Sequence, residues 1–186
     1  FNTALATEKL WPEAAKELAR HKAIVVVSHM DTFSDCAGAM NGALCVTMAV
    51  TALNELLPVI GLYWHESGTL CPAAKVREQG LGLARAELPP EMGGGPPVGI
   101  FVAGLKPFVG RELELVPSYR HLRETTKGAI ELSSYLLQGG PVLKEGGTAS
   151  IGGTETVQVR HGMSQYSRQK PAIRILPTSD KGAKRS

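Results

Sequence analysis

The chain has 186 residues, 43% of them hydrophobic, and a formal net charge of +3. This suffices for one folded domain, or two small halves, with a real core. The charge is too small, and Lys and Arg too scattered outside the tail, to argue for a nucleic-acid surface.

Three cysteines, Cys36, Cys45 and Cys71, argue against a disulfide framework. Cys36 and Cys45 fall on one predicted helix, roughly 13 Å apart along it and beyond bridging reach. The thiols are expected as small buried hydrophobes in a reducing cytoplasm. No Cys-x-x-Cys pair or Cys/His cluster suggests a metal, and no motif implies a cofactor. No signal peptide is read, and whether residues precede Phe1 is left open. The apolar run 43–57 contains Thr47, Thr51, Asn54 and Glu55. It is shorter and more polar than the about 20 apolar residues of a membrane span. A soluble protein without a membrane partner is expected.

In chain order, residues 1–6 read as an edge strand or a frayed start. Pro12 opens a helix over 12–20, with Glu13 at the end the dipole favours for an anion. Its buried face is Leu10, Trp11, Ala14, Ala15, Leu18 and Ala19. The run 23–28 is the densest β-branched stretch of the sequence, without alternation. It is therefore predicted as a central strand buried on both faces. His29, Met30, Asp31 and Thr32 leave it as a loop. Ser34 or Asp35 caps the next helix, which runs to about Leu56, is apolar nearly all round, and is expected to be heavily buried. Pro58 stops it. A strand over 59–64 follows, with Leu62 and Trp64 on one face and Tyr63 on the other.

Pro72 opens a short helix to Gln79, and the Gly/Pro-rich stretch 91–97 reads either as a flexible loop within a single domain 1–176 or as a seam between halves 1–90 and 98–176. Strands over 98–105 and 109–117 pair as a hairpin turned by Lys106 and Pro107. In the second, Arg111, Leu113 and Leu115 alternate with Glu112 and Glu114, giving a half-buried strand with a charged face. A helix over 121–138 buries Leu122, Thr126, Ala129, Ile130, Ser133, Leu136 and Leu137, and Gly139 and Gly140 end it. Late strands cover 142–151, 155–160 and 172–176, and 177–186 is a disordered tail. The fold class is α+β: mixed or antiparallel sheet with helices packed on one side. Its halves echo each other as strand, helix, strand, without a sequence repeat.

Chemistry is sparse. His29 and Asp31 follow the predicted central strand, and His65 and Glu66 follow another. Together they make a candidate acid–base cluster, against the plainer reading of loop hydrogen bonds and a helix cap. Gly146, Gly147 and Thr148, and Gly152, Gly153 and Thr154, lack the lysine and following helix of a phosphate loop and read as hairpin turns. No G-x-S-x-G elbow is present. Cys71, before Pro72, is tied to no histidine by sequence, so nothing activates it as a nucleophile. Arg111, Glu112, Glu114, Arg120, Arg123 and Glu124 form a charged zone, either solvated surface or the rim of a protein contact. Trp11, Tyr63 and Trp64 are candidate anchors, with Trp11 better placed in the core.

Several pieces together resemble a bacterial family, domain-of-unknown-function family 4261. They are Trp11 and Pro12, residues 21–28, the small-residue helix leading to Leu62, Tyr63 and Trp64, and Gly104 and Leu105. Further pieces are residues 110–114, Tyr135, Leu136 and Leu137 with Gly139 and Gly140, and the turn 145–148. The resemblance implies a small cytosolic protein of the kind encoded near contact-dependent toxin systems, including type VI secretion. It implies no catalytic residues. The implied role is an immunity protein that binds a cognate effector toxin, or else an adaptor that loads one for secretion. A small enzyme using His29, Asp31 and His65 is the alternative of another class. Expected partner contacts are His65, Glu66, Arg111, Glu112, Glu114, Arg120 and Arg123, with the loops 65–71 and 91–97.

Overall fold

The computed structural model describes residues 11–79, 83–87, 99–116, 122–151, 155–166 and 170–178. The predicted strand 1–6, the seam 91–97, Arg120, Gly152 to Thr154 and the tail beyond Thr178 lie outside the described residues. The chain is an α+β protein that divides into two compact units, Phe1–Arg85 and Ala86–Ser186.

Unit 1 begins with α1 (Ala14–Leu18), shorter than the predicted 12–20. Trp11, Ala14, Leu18 and Leu70 make its small core, with Ile60 packed against them. The Trp11 ring lies so close to Gly61 that a Cβ there would come within 2.6 Å of it, so the strand passes Trp11 only because position 61 has no side chain. Trp11 is thus core, as expected. His21 ends the helix: its N–H donates to the Leu18 carbonyl at 3.0 Å, and its Nδ1 lies 2.6 Å from the same oxygen.

Residues 21–30 form neither helix nor strand, against the expectation of a buried central strand at 23–28. Ile24, Val25 and Val26 are 69%, 64% and 81% exposed. β-Branched residues favour a pleated surface only when a neighbouring strand completes it. Among the described residues none pairs with this run.

α2 (Cys36–Leu56) is one uninterrupted helix. Of the two candidate caps Asp35 is the one used: its Oδ1 accepts the Gly38 N–H at 2.7 Å. The helix is not heavily buried: only Ala39, Gly42 and Ala43 are, while Leu44, Met48 and Leu56 stay exposed. The strand that α2 was expected to cover is not formed by 23–28, which pairs with no strand among the described residues. Phe33 lies over Gly38 and Gly42, where an added Cβ would meet its ring. Thr47 and Thr51 donate their hydroxyls to the carbonyls of Ala43 and Thr47. With 21 residues, α2 is long and apolar enough to cross a membrane by length and composition alone.

β1 (Gly61–Trp64), with Tyr63 exposed and Leu62 and Trp64 half-buried as predicted, pairs antiparallel with β2 (Thr69–Pro72), a strand not read from sequence. α3 (Ala73–Gln79) follows, and the Asn54 side chain donates to the Ala73 carbonyl. None of the three cysteines is in a disulfide; Cys36 and Cys71 are half-buried and Cys45 is exposed, so none is the buried hydrophobe expected.

The larger sheet has six strands in the order β3-β4-β5-β8-β7-β6. They are β3 (Arg85–Glu87), β4 (Ile100–Ala103), β5 (Glu112–Leu115), β6 (Thr148–Ile151), β7 (Glu155–Met163) and β8 (Pro171–Pro177). β4 and β5 pair antiparallel as predicted, but α4 (Lys106–Val109), a single helical turn ended by Gly110 at φ 77°, replaces the tight hairpin turn. That turn delays the second strand from Val109 to Glu112. β5 runs parallel to β8, and β8–β7 and β7–β6 are antiparallel. The glycine turn before β6 is observed, with Gly146 at φ 74°.

α5 (Leu122–Gly139) packs on β4, β5 and β6. Its buried stripe is Gly128, Ala129, Leu132, Ser133 and Leu136, spaced at three and four residues. Ile130, expected inside, is 58% exposed, because the stripe turns one position away from it. Gly128 is a contact point, since a Cβ there would lie 2.2 Å from Ile151 Cγ2.

Candidate functional site

Two places hold what the sequence marked as functional, one in each unit. In unit 2 it is β5. Alternation sets Glu112 and Glu114 on one face of the sheet and Leu113 and Leu115 on the other. Register then aligns Phe101, Glu114, Arg174 and Arg160 across β4, β5, β8 and β7. The Glu face is not solvent: Glu112 is 3% and Glu114 0% exposed. Loops take it up, which leaves the leucine face for the apolar stripe of α5.

Each carboxylate clamps a loop. Glu112 Oε2 accepts the N–H of Leu105 at 2.9 Å and of Lys106 at 3.3 Å, fixing the entry to α4. Its Oε1 lies 4.0 Å from Lys170 Nζ, and that ammonium also sits 5.8 Å from the Phe101 ring centre. Burial pushes the Glu112 pKa up, against the opposing pull of the Leu105 N–H, the Lys170 charge and the Lys106 N–H. Glu114 Oε2 accepts the Gln165 N–H at 2.8 Å, and its Oε1 takes Arg174 Nε at 3.2 Å. Arg160, opposite Arg174, turns to Glu145 instead at 3.3 Å, so the facing arginines do not oppose each other unpaired. Glu145 also accepts the His161 N–H, the main reason its pKa falls below the usual carboxylate range.

Tyr166 closes this face. A Cβ on Gly99 would come within 2.1 Å of its hydroxyl, so the ring end lies directly on the β4 approach. The hydroxyl is buried without a hydrogen-bond partner among the described residues, and desolvation, with Glu114 nearby, pushes its pKa up to about 12. Glu112, Glu114 and Glu145 are thus each met by a base or a backbone N–H, and the two buried ones hold loops.

In unit 1, His65 and Glu66 are exposed at the turn between β1 and β2, and the His65 ring stands edge-on to Tyr63 at 6.3 Å. His29 keeps to its own loop: its Nδ1 accepts the Asp31 N–H at 3.2 Å, and its ring lies 4.7 Å from Phe33. Among the described residues no hydrogen bond, ion pair or ring contact joins His29 or Asp31 to His65 or Glu66. No group of three or more His, Cys, Asp or Glu among them could hold a metal ion. Arg111 is half-buried just before β5, and Arg123 lies in the first turn of α5.

What unit 1 does display is apolar surface. Along α2, Leu44, Met48, Ala52 and Leu56 recur every four residues and all are exposed. Sequence reading placed them inside. It also missed Gln165, Tyr166, Lys170 and Arg174. Arg174 carried a signal, because it is a lone charge inside the apolar strand 172–176.

No curated protein and no solved structure matches the chain. Residues 102–176, less than half of the chain, match a family described as Domain of unknown function (DUF4261). They run from within β4 to within β8 and hold the carboxylate pair. The pieces of resemblance from Gly104 onward fall inside this span, and those from Trp11 to Trp64 fall before it. The part of the chain that is similar to that domain-of-unknown-function family thus lies within unit 2, from β4 to β8.

Proposed function

We propose that this chain is a bacterial immunity protein that binds a cognate secreted effector toxin, in a type VI-like setting, and neutralises it by protein–protein contact. The observation that carries the reading is the exposed row Leu44, Met48, Ala52 and Leu56 on α2, with Leu44 at 57%, Met48 at 64% and Leu56 at 80%. Contiguous apolar surface marks an interaction site, and an apolar helical row spaced at four residues suits a groove on another protein. His65 and Glu66, exposed in the same unit, supply rim charge that governs specificity and association rate more than affinity.

The test is survival. Cells producing the secreted toxin encoded beside this chain are expected to live when the chain is co-produced and to die when it carries Leu44→Asp and Met48→Asp. Protection by that variant as good as by the wild type contradicts the contact surface. Failure of the wild type to protect contradicts the function. Cells that survive without the chain but cease to export the toxin would point to a loading adaptor.

A further inference from the structure

The run 24–27 stands apart from α2 and carries its own inference. Residues 22–28 make no hydrogen bond with any described residue, and the three exposed β-branched side chains at 24–26 meet water. Unit 1 nonetheless repeats the element order of unit 2. A short helix, the run 23–28, a long helix and a hairpin (α1, 23–28, α2, β1–β2) correspond to α4, β5, α5 and β6–β7. Seven residues separate Ser28 from α2, and six separate Leu115 from α5. In unit 2 the equivalent segment, β5, has a strand on each side, antiparallel β4 and parallel β8. By internal comparison 23–28 occupies a strand position that has no neighbouring strand among the described residues.

We propose that the neighbour is a second copy of the same chain, and that two copies pair antiparallel through residues 23–28 to make a two-fold dimer. Charge selects this occupant and this direction. Arg20 and Lys22 precede the run and Asp31 follows it, with no charge between Ala23 and Ser28. Pairing Val25 with Val26 sets Arg20 against the other copy's Asp31 at both ends, and a shift of two positions sets Lys22 there. Parallel in-register pairing would instead stack Arg20 on Arg20, Lys22 on Lys22 and Asp31 on Asp31, which like charges disfavour. A two-fold contact is self-complementary by construction. The open N–H and C=O groups of an unpaired strand supply its ladder.

Sedimentation equilibrium of the intact chain tests this. The wild type is expected to be a dimer with amides at 24–27 slow to exchange. Val26→Pro, which removes a ladder N–H at an exposed position, is expected to weaken dimerisation about tenfold or more without changing the circular dichroism. Asp31→Lys alone, and Arg20→Asp with Lys22→Asp alone, should each be monomeric, and an equimolar mixture of the two should dimerise. A monomeric wild type with fast-exchanging amides overturns the proposal. So does a dimer indifferent to Val26→Pro, or one whose charge variants fail to complement. Protection of 24–27 that appears only with lipid vesicles, or only with the toxin, assigns the edge to that occupant and overturns it as well. None of these readouts involves the toxin-binding row of α2, so either proposal can fail alone.

Discussion

Glu114 is the residue on which unit 2 turns most sharply. It is fully buried, and its two oxygens are taken by Arg174 and by the Gln165 N–H. Removing one member of a buried pair leaves the other charge and a backbone donor unpaired. Glu114→Ala should therefore cost about 3 kcal/mol in urea unfolding. A loss near zero would mean the carboxylate is not a clamp. Glu112 makes a prediction about pH. Its folded pKa lies above the usual 4.5 because burial outweighs its hydrogen bonds. The folded chain then keeps a proton that the unfolded chain releases, so this contribution is full below the unfolded value and is lost as pH rises through the folded one. Glu112→Gln should gain stability relative to wild type as pH rises from about 4.5 toward neutrality. The opposite trend would show that the N–H groups of Leu105 and Lys106, with Lys170, outweigh burial. Glu145, exposed and shifted down by the His161 N–H, runs the other way: its contribution is lost as pH falls through its folded value.

At the scale of elements, α5 shows how packing sets a choice that propensity alone would get wrong. Ala is a better helix former than Gly by about 1 kcal/mol. Yet Gly128→Ala would drive a methyl to within 2.2 Å of Ile151 Cγ2. Ile is stiff at χ1, so overpacking should win, with a net loss of about 1–2 kcal/mol in thermal or urea unfolding. In an Ile151→Ala background the same change should become neutral or stabilising. If Gly128→Ala stabilises the wild type, α5 does not press on β6 there. α5, the β4–β5 pairing and strand β1 were legible in the sequence, because each is set by short-range pattern, a stripe or an alternation; β2 and its pairing with β1 were not, because 65–72 shows no regular alternation. The run 23–28 was misread because β-branched content reports readiness for a sheet and not the presence of a neighbour. The burial of α2 was misread with it. Alternation along β5 correctly separated the glutamates from the leucines, but it could not tell a watered face from one covered by a loop over 50 residues away in sequence at Gln165.

For the molecule as a whole, the two units differ in kind. Unit 2 carries the larger sheet, an apolar helix stripe and buried acids each met by a base or an N–H. Unit 1 has a small core around Trp11 and leaves a β-branched run and a helix row in water. Exposed apolar surface is unfavourable for an isolated chain and is relieved by association. On the proposed function, that contrast is the reason recognition is assigned to unit 1. The candidate site was therefore only partly legible: His65 and Glu66 are on the surface as read, while Glu112 and Glu114 serve the interior.

Calorimetric titration of the chain with the secreted effector toxin proposed as its partner bears on this most directly. A neutraliser must leave almost no free toxin, so the expected Kd is nanomolar or tighter, about −12 kcal/mol. Loss of two central apolar side chains by Leu44→Asp and Met48→Asp should weaken it by about 100-fold or more. No binding, or binding that the α2 variant leaves unchanged, would contradict the account.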